Sequence, residues 1–195
     1  MLMNTHFQIA RSVLENMDYR NSELIKEKNF IYGNIKPDAL SKYKLHRHYM
    51  DESFEMIASK IEYLSNLDLD CLLSKRFSLS RFSQELGVVC HFLCDFFCVA
   101  HSERWEFKHS MNRHVVYEKD LAAAAKATDL TIIKGDSMEK QEFIDFFNVL
   151  YEQYKSNGNY IKNDLQFSTY ICNSVTDYVL RNIIANSEKT LKIIA

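Results

Sequence analysis

The sequence predicts an all-α fold, a single multihelical domain over residues 1–195. Proline occurs once and glycine four times, too seldom to punctuate the chain into the short strands of a β-sandwich. Apolar residues recur at spacings of three and four along most of the chain, the period of a helix face. The stretch from Leu86 to Ala100 is apolar on all sides except for His91 and Asp95, the composition of a helix enclosed by its neighbours. At ~150 residues per domain the length allows one domain. Such a chain buries roughly 70 per cent of its unfolded surface, enough to fold without a disulfide or a metal.

The elements follow in order. Thr5 reads as an N-cap, after which His6, Ala10, Val13 and Met17 share one helical face, so His6 points inward. Gly33-Asn34-Ile35-Lys36-Pro37-Asp38 reads as a structured loop, because a residue before proline is pushed out of the α region. From Asp51, Phe54, Ile57, Ala58, Ile61 and Leu64 form a packing stripe with Glu55, Lys60 and Glu62 off it. Leu67 to Ser80 has no clear period, and the enclosed helix at Leu86–Ala100 comes next. Arg113 to Lys126 reads as an Ala-rich helix. Asp136 or Ser137 caps a helix carrying Phe143, Phe147, Leu150 and Tyr154, which a turn at Gly158 ends. A long helix from about Tyr160 to Ala185 turns Phe167, Ile171, Val175, Tyr178 and Val179 inward. The expectation is six or seven helices.

Composition excludes several classes. Apolar residues make up 47% and charged residues 26%, which fits an ordinary globular protein and neither a disordered nor a membrane-embedded one. A formal net charge of -2 supplies no attraction to nucleic acid or anionic lipid. The longest apolar run has 15 residues and two ionisable groups, too short for a transmembrane span. The first residues lack the basic and apolar regions of a secretory signal, so a cytoplasmic location is expected. Of five cysteines, Cys90, Cys94 and Cys98 recur every four residues, stacking on one helix face as small buried groups. A thiolate metal site would bring a Cys-x-x-Cys pair, and the sequence has none.

The chemistry lies between residues 91 and 118. His91 and Asp95 are one turn apart on one face. A buried carboxylate needs a partner, which is either the histidine in a salt bridge or a divalent metal shared with it. The pattern continues: His101 lies six residues beyond Asp95, and His114 and Glu118 make a second i, i+4 pair, while His109 is left over. Imidazole nitrogen and carboxylate oxygen without thiolate are the donors of hydrolytic zinc sites. Asp95, between two groups of histidines, is placed to bridge two ions.

Several motifs together resemble the zinc-dependent phospholipase C family, whose all-helical fold is shared with fungal single-strand nucleases. They are Thr5-His6-x-x-Ile9-Ala10, the Gly33–Asp38 segment, His48-Tyr49-Met50, His91-x-x-x-Asp95-x5-His101, and His114-x-x-x-Glu118. The resemblance implies Zn2+ as cofactor, with one ion held by Asp38, His48, His91 and Asp95 and a second by Asp95, His101, His114 and Glu118. His48 is chosen over His46 because the family places a histidine just before the next helix. A third family ion would use His6 and the bridging Asp95 together with the amino group of an N-terminal tryptophan. This sequence has Met1 instead. The toxin-like members also carry a C-terminal membrane-docking sandwich, and no such domain is expected within these 195 residues.

Such a cluster is net positive and suits a phosphodiester or phosphomonoester, lipid or small molecule. Metal-activated water is the expected nucleophile, and Asp38 is by resemblance a candidate general base. The alternatives are a 3′-nucleotidase or single-strand nuclease on the same metals, with Trp105 as a base-stacking surface, and a non-catalytic metal-binding helical protein. The sequence has no His-Asp dipeptide, no His-Glu-x-x-His and no Gly-rich phosphate loop. Ser102, next to His101, is a poor candidate for a nucleophile, since adjacency in sequence does not place a hydroxyl on an imidazole.

Overall fold

The structure, a computed structural model, describes residues 1–39, 48–74, 77–105, 111–138, 143–158 and 160–194. Among the described residues there are ten α-helices and no strand. They are α1 (Met3–Asn16), α2 (Tyr19–Glu23), α3 (Glu27–Ala39), α4 (Met50–Ser65), α5 (Leu69–Leu73), α6 (Leu79–Phe96), α7 (Val99–Ser102), α8 (Met111–Ala127), α9 (Phe143–Ser156) and α10 (Ile161–Ile194). A 3₁₀ turn at Leu130–Ile132 follows α8. The surplus over the expected six or seven comes from short helices. Asp18, Asp68 and Ser78 start three of the helices by accepting from backbone N–H groups, which compensates for first-turn donors that lack an intrahelical partner.

Helix α6 is the axis of the molecule. Every residue from Leu86 to Ala100 is buried, and α6 packs against α3, α4, α10 and α1. Ile57, Ile61 and Leu64 of α4 and Ile171, Val175 and Val179 of α10 close the core around it as their spacing predicts, whereas Tyr178 is only half-buried. All five cysteines are free, and Cys90, Cys94 and Cys98 are buried. No helix among the described residues is long and apolar enough to cross a membrane.

Four local expectations are corrected. Thr5 is not a cap: α1 begins at Met3, and Thr5 is buried within it. Asp136 accepts from the Tyr170 hydroxyl at 2.7 Å, and neither it nor Ser137 belongs to a helix; residues 139–142, just before α9, lie outside the described residues. The central helix does not run through to Ala100 but breaks after Phe96 and restarts at Val99. The segment Gly33–Asp38 is helical, being the end of α3, with Pro37 inside it. Glycine serves close approach here and not a turn. A Cβ on Gly33 would lie 2.2 Å from the Gln84 carbonyl oxygen, and one on Gly87 2.3 Å from that of Phe30. Two helices thus touch backbone to backbone. Pro37, near the helix end, costs one hydrogen bond.

Candidate metal centre

Six segments converge at the carboxyl end of α6. His6 comes from α1, Asp38 from the last turn of α3, His48 from just before α4, His91 and Asp95 from α6, His101 from α7, and His114 and Glu118 from α8. All eight sequence-predicted residues meet. His46 and His109 lie outside the described residues. Arg104, at the exit of α7, lies 4.2 Å over the Tyr49 ring and donates to Asp51 and Glu52. Those contacts tie α7 to the segment that carries His48.

Asp95 is the hub. Its Oδ2 lies 2.9 Å from His48 Nδ1 and 3.2 Å from His91 Nε2, while its Oδ1 lies 3.4 Å from His6 Nε2 and 3.7 Å from His101 Nε2. On the Oδ2 side, His91 Nε2 and His48 Nδ1 face each other at 3.2 Å, and Asp38 Oδ1 is 3.7 and 3.8 Å from them. On the other side, Glu118 Oε1 lies 3.0 Å from His101 Nε2 and 3.3 Å from His114 Nε2. Donors bound at 2.0–2.2 Å to one tetrahedral ion lie about 3.3–3.6 Å apart. The residues present therefore fit zinc. Donor atoms group within 4.8 Å as His6/Asp38/His91, His48/His91/Asp95 and His101/His114/Glu118.

Two buried features support the same fit. Both ring nitrogens of His6 are buried and make no hydrogen bond among the described residues, although its ring stacks on His91 with centroids 3.9 Å apart. A buried imidazole without a hydrogen bond is costly unless something else takes its lone pair. His91 Nδ1, in contrast, donates to the Asn34 carbonyl at 2.7 Å, so its Nε2 is left with the lone pair that faces the carboxylates. Sequence reasoning missed Asn34, because a backbone carbonyl carries no residue signature.

Electrostatics shift the donors in different directions. Burial pushes the His6 imidazole down to about 3, helped by His91, so the ring is neutral at physiological pH. Burial and the Met1 ammonium likewise lower His101. Burial by itself would raise Asp95, but the Met1 ammonium, His101, His91 and His6 outweigh it and hold the carboxyl well below its usual range. Glu118 is lowered in the same manner, by His101 and His114 against burial. Burial raises Asp38. For His48 burial is outweighed by Asp95 and Asp38, and the ring is raised. The Met1 amino group donates to Asp95 Oδ1 and sits 2.7 Å from His101 Nε2 and 3.1 Å from Glu118 Oε1. A positive charge thus lies between these side chains.

Other candidates are placed elsewhere. Trp105 is only 6% exposed and stacks edge-on against Tyr117 beneath Arg113, a poor platform for a base. The Ser102 hydroxyl donates to the Val99 carbonyl at 3.4 Å. A cavity of about 800 Å³ opens beside Leu130, Ile133, Leu150, Leu165 and Phe167, and none of the eight clustered residues lines it.

A family model described as zinc dependent phospholipase C matches residues 5–161. The chain belongs to this family. No curated protein and no solved structure matches it. All eight clustered residues, from His6 to Glu118, fall inside the matched span. Membership in the zinc-dependent phospholipase C family supports a zinc-dependent phosphoesterase in general, with a lipid or small-molecule substrate, and the oxygen and nitrogen donors suit that metal.

Proposed function

We propose that this chain hydrolyses a phosphodiester of phospholipase C type, releasing a phosphorylated head group. The observation that carries the reading is Asp95, whose two oxygens face two separate histidine sets at ligand-like spacing. In this reading Asp38, His48, His91 and Asp95 hold one zinc, and Asp95, His101, His114 and Glu118 hold a second. His6, facing Asp95 Oδ1, supplies a third position. When bound, the ions polarise phosphoryl oxygens and bring the pKa of water to about 7.

The chain's own residues do the rest. The Asn34 carbonyl fixes the His91 tautomer, so the ring need not reorient. Of the three carboxylates, Asp95 is fully buried and Glu118 is 9% exposed, whereas Asp38 is 27% exposed. Asp38 is therefore the one that can reach a water at the mouth of the site and take its proton.

Metal analysis of protein purified without a histidine tag should find two or three zinc ions per chain. The zinc-loaded protein should release phosphocholine from short-chain phosphatidylcholine. An inert phospholipid together with hydrolysis of a 3′-nucleotide or single-stranded DNA would assign the site to the nuclease chemistry instead.

Zinc binding should also depend on pH in a defined direction. His48 holds its proton above the ordinary histidine value of about 6.5, and zinc must displace that proton. Below the raised pKa, apparent affinity should climb by at least about tenfold per pH unit and then level off. Competition with a chromophoric chelator from about pH 6 to pH 8 measures the slope, and a flat profile would remove His48 from the ligand set.

A further inference from the structure

Outside the cluster, α10 carries a fully buried carboxylate that none of the chemistry above uses. Asp164 Oδ2 accepts from the Val99 backbone N–H at 3.0 Å and from the Tyr117 hydroxyl at 2.9 Å, and its Oδ1 accepts from the Tyr154 hydroxyl at 2.8 Å. A buried charge with three donors is tolerated, but apolar packing would serve stability as well or better. Its placement gives it another role.

Val99 is the first residue of α7, two before His101, and Tyr117 directly precedes Glu118 in α8. One oxygen therefore ties the segment bearing His101 to the helix bearing His114 and Glu118. The four residues of α7 are too few to hold a helix by themselves, and the first N–H of a helix has no partner within it. Asp164 supplies that partner. Resting on the metal-binding reading above, we infer that Asp164 is a positioning residue for the His101/His114/Glu118 half-site, fixing α7 against α8 without touching a ligand. The His101–Glu118 spacing of 3.0 Å is what this brace preserves, and a displacement of about 1 Å is enough to spoil such a site. Burial pushes the Asp164 carboxyl up to about 6, against the pull of its donors. At neutral pH it remains an acceptor for all three.

Asp164→Asn keeps the shape but puts an NH₂ donor where an acceptor stood. The amide oxygen can stay on the Val99 N–H and the Tyr117 hydroxyl while the NH₂ meets the Tyr154 hydroxyl, which can turn to accept; what is lost is the negative charge that strengthens the brace on Val99 and Tyr117. Stepwise zinc binding to the full-length metal-free chain, followed by chelator competition and by cobalt(II) absorption, reads the effect. One step should weaken by about tenfold or more, the scale of outer-shell changes at metal sites, with the remaining steps unchanged. In a His114→Ala background, which lacks that step, Asp164→Asn should cause no further loss. Leu64→Ala, a core change at the end of α4 remote from His48, serves as a control for lowered stability and should leave all steps in place. Unaltered zinc steps in Asp164→Asn, a further loss in the His114→Ala background, or an equal loss in Leu64→Ala would overturn the inference. If Asp164→Asn fails to fold, Tyr117→Phe decides by the same measure, with a several-fold weakening expected and no change fatal. A wild-type chain that takes up no zinc at all defeats the metal-binding reading itself, a result distinct from normal zinc uptake in Asp164→Asn.

Discussion

Asp95→Asn should abolish phosphoesterase activity and remove at least one zinc ion per chain while leaving the helices intact. The substitution is isosteric, so the packing around the fully buried side chain changes little. Its chemistry changes completely. A carboxylate offers both oxygens as anionic ligands, one to the His48/His91 side and one to the His6/His101 side. An amide offers one neutral oxygen and turns an NH₂ towards the other set of histidines. The charge that offsets buried cations is lost as well. Without the paired ions neither an activated water nor a stabilised leaving oxygen remains, and activity should fall by more than about a thousandfold. Circular dichroism checks the fold, metal analysis the ions, and a head-group release assay the rate. A variant with full activity and an undiminished zinc count would refute the bridging role of Asp95.

Helix periodicity made α4 and α10 readable, because each has one apolar face with polar residues opposite, and alanine content made α8 readable. The enclosed nature of α6 was readable from its uniform apolarity. The route by which His101 reaches Asp95 was not. Six residues along an unbroken helix correspond to a rotation of about 600°, which would leave the two on different faces. The break at Phe97–Cys98 brings His101 back to within 3.7 Å of Asp95, and an apolar run gives no sign of such a break. The Gly33–Asp38 segment misled for a related reason. Local rules assign glycine and proline to turns, but a tertiary contact with α6 determines the conformation there.

Side-chain detail was the other gap. The eight clustered residues were legible as residue types in order, the Asp38 and His48 assignments resting on family resemblance. That His48 presents Nδ1 while His6, His91, His101 and His114 present Nε2 depends on ring orientation, which no sequence pattern encodes. Asp164 sits near the start of a helix, where acidic residues are common for dipole reasons alone. Only the three donors around it separate it from that background.

Gly87→Ala should destabilise the protein and weaken zinc binding together, against the sign that helix propensity predicts. In an open helix interior, alanine is favoured over glycine by about 1 kcal/mol. Here the added Cβ would lie 2.3 Å from the Phe30 carbonyl oxygen and 2.9 Å from the Asn34 nitrogen and the Gly33 Cα. These are backbone atoms and cannot rotate aside, so α3 and α6 must separate. A cost of about 3 kcal/mol or more is expected, at the upper end for overpacking because no side chain can absorb it. The separation reaches the metal centre directly. His91 lies one turn beyond Gly87 on α6, and its Nδ1 donates to the Asn34 carbonyl on α3 at 2.7 Å, while Asp38 on α3 lies 3.7 Å from its Nε2. Moving α3 outward lengthens both distances, whereas the His101/His114/Glu118 group is built from α7 and α8 and contains no α3 residue. Urea unfolding should therefore show reduced stability, and zinc titration should show the loss concentrated in the step that uses Asp38, His48 and His91. An alanine variant as stable as the parent would mean that the two helices have slack at their crossing, and that the Asp38–His91 spacing is set by something other than these glycines.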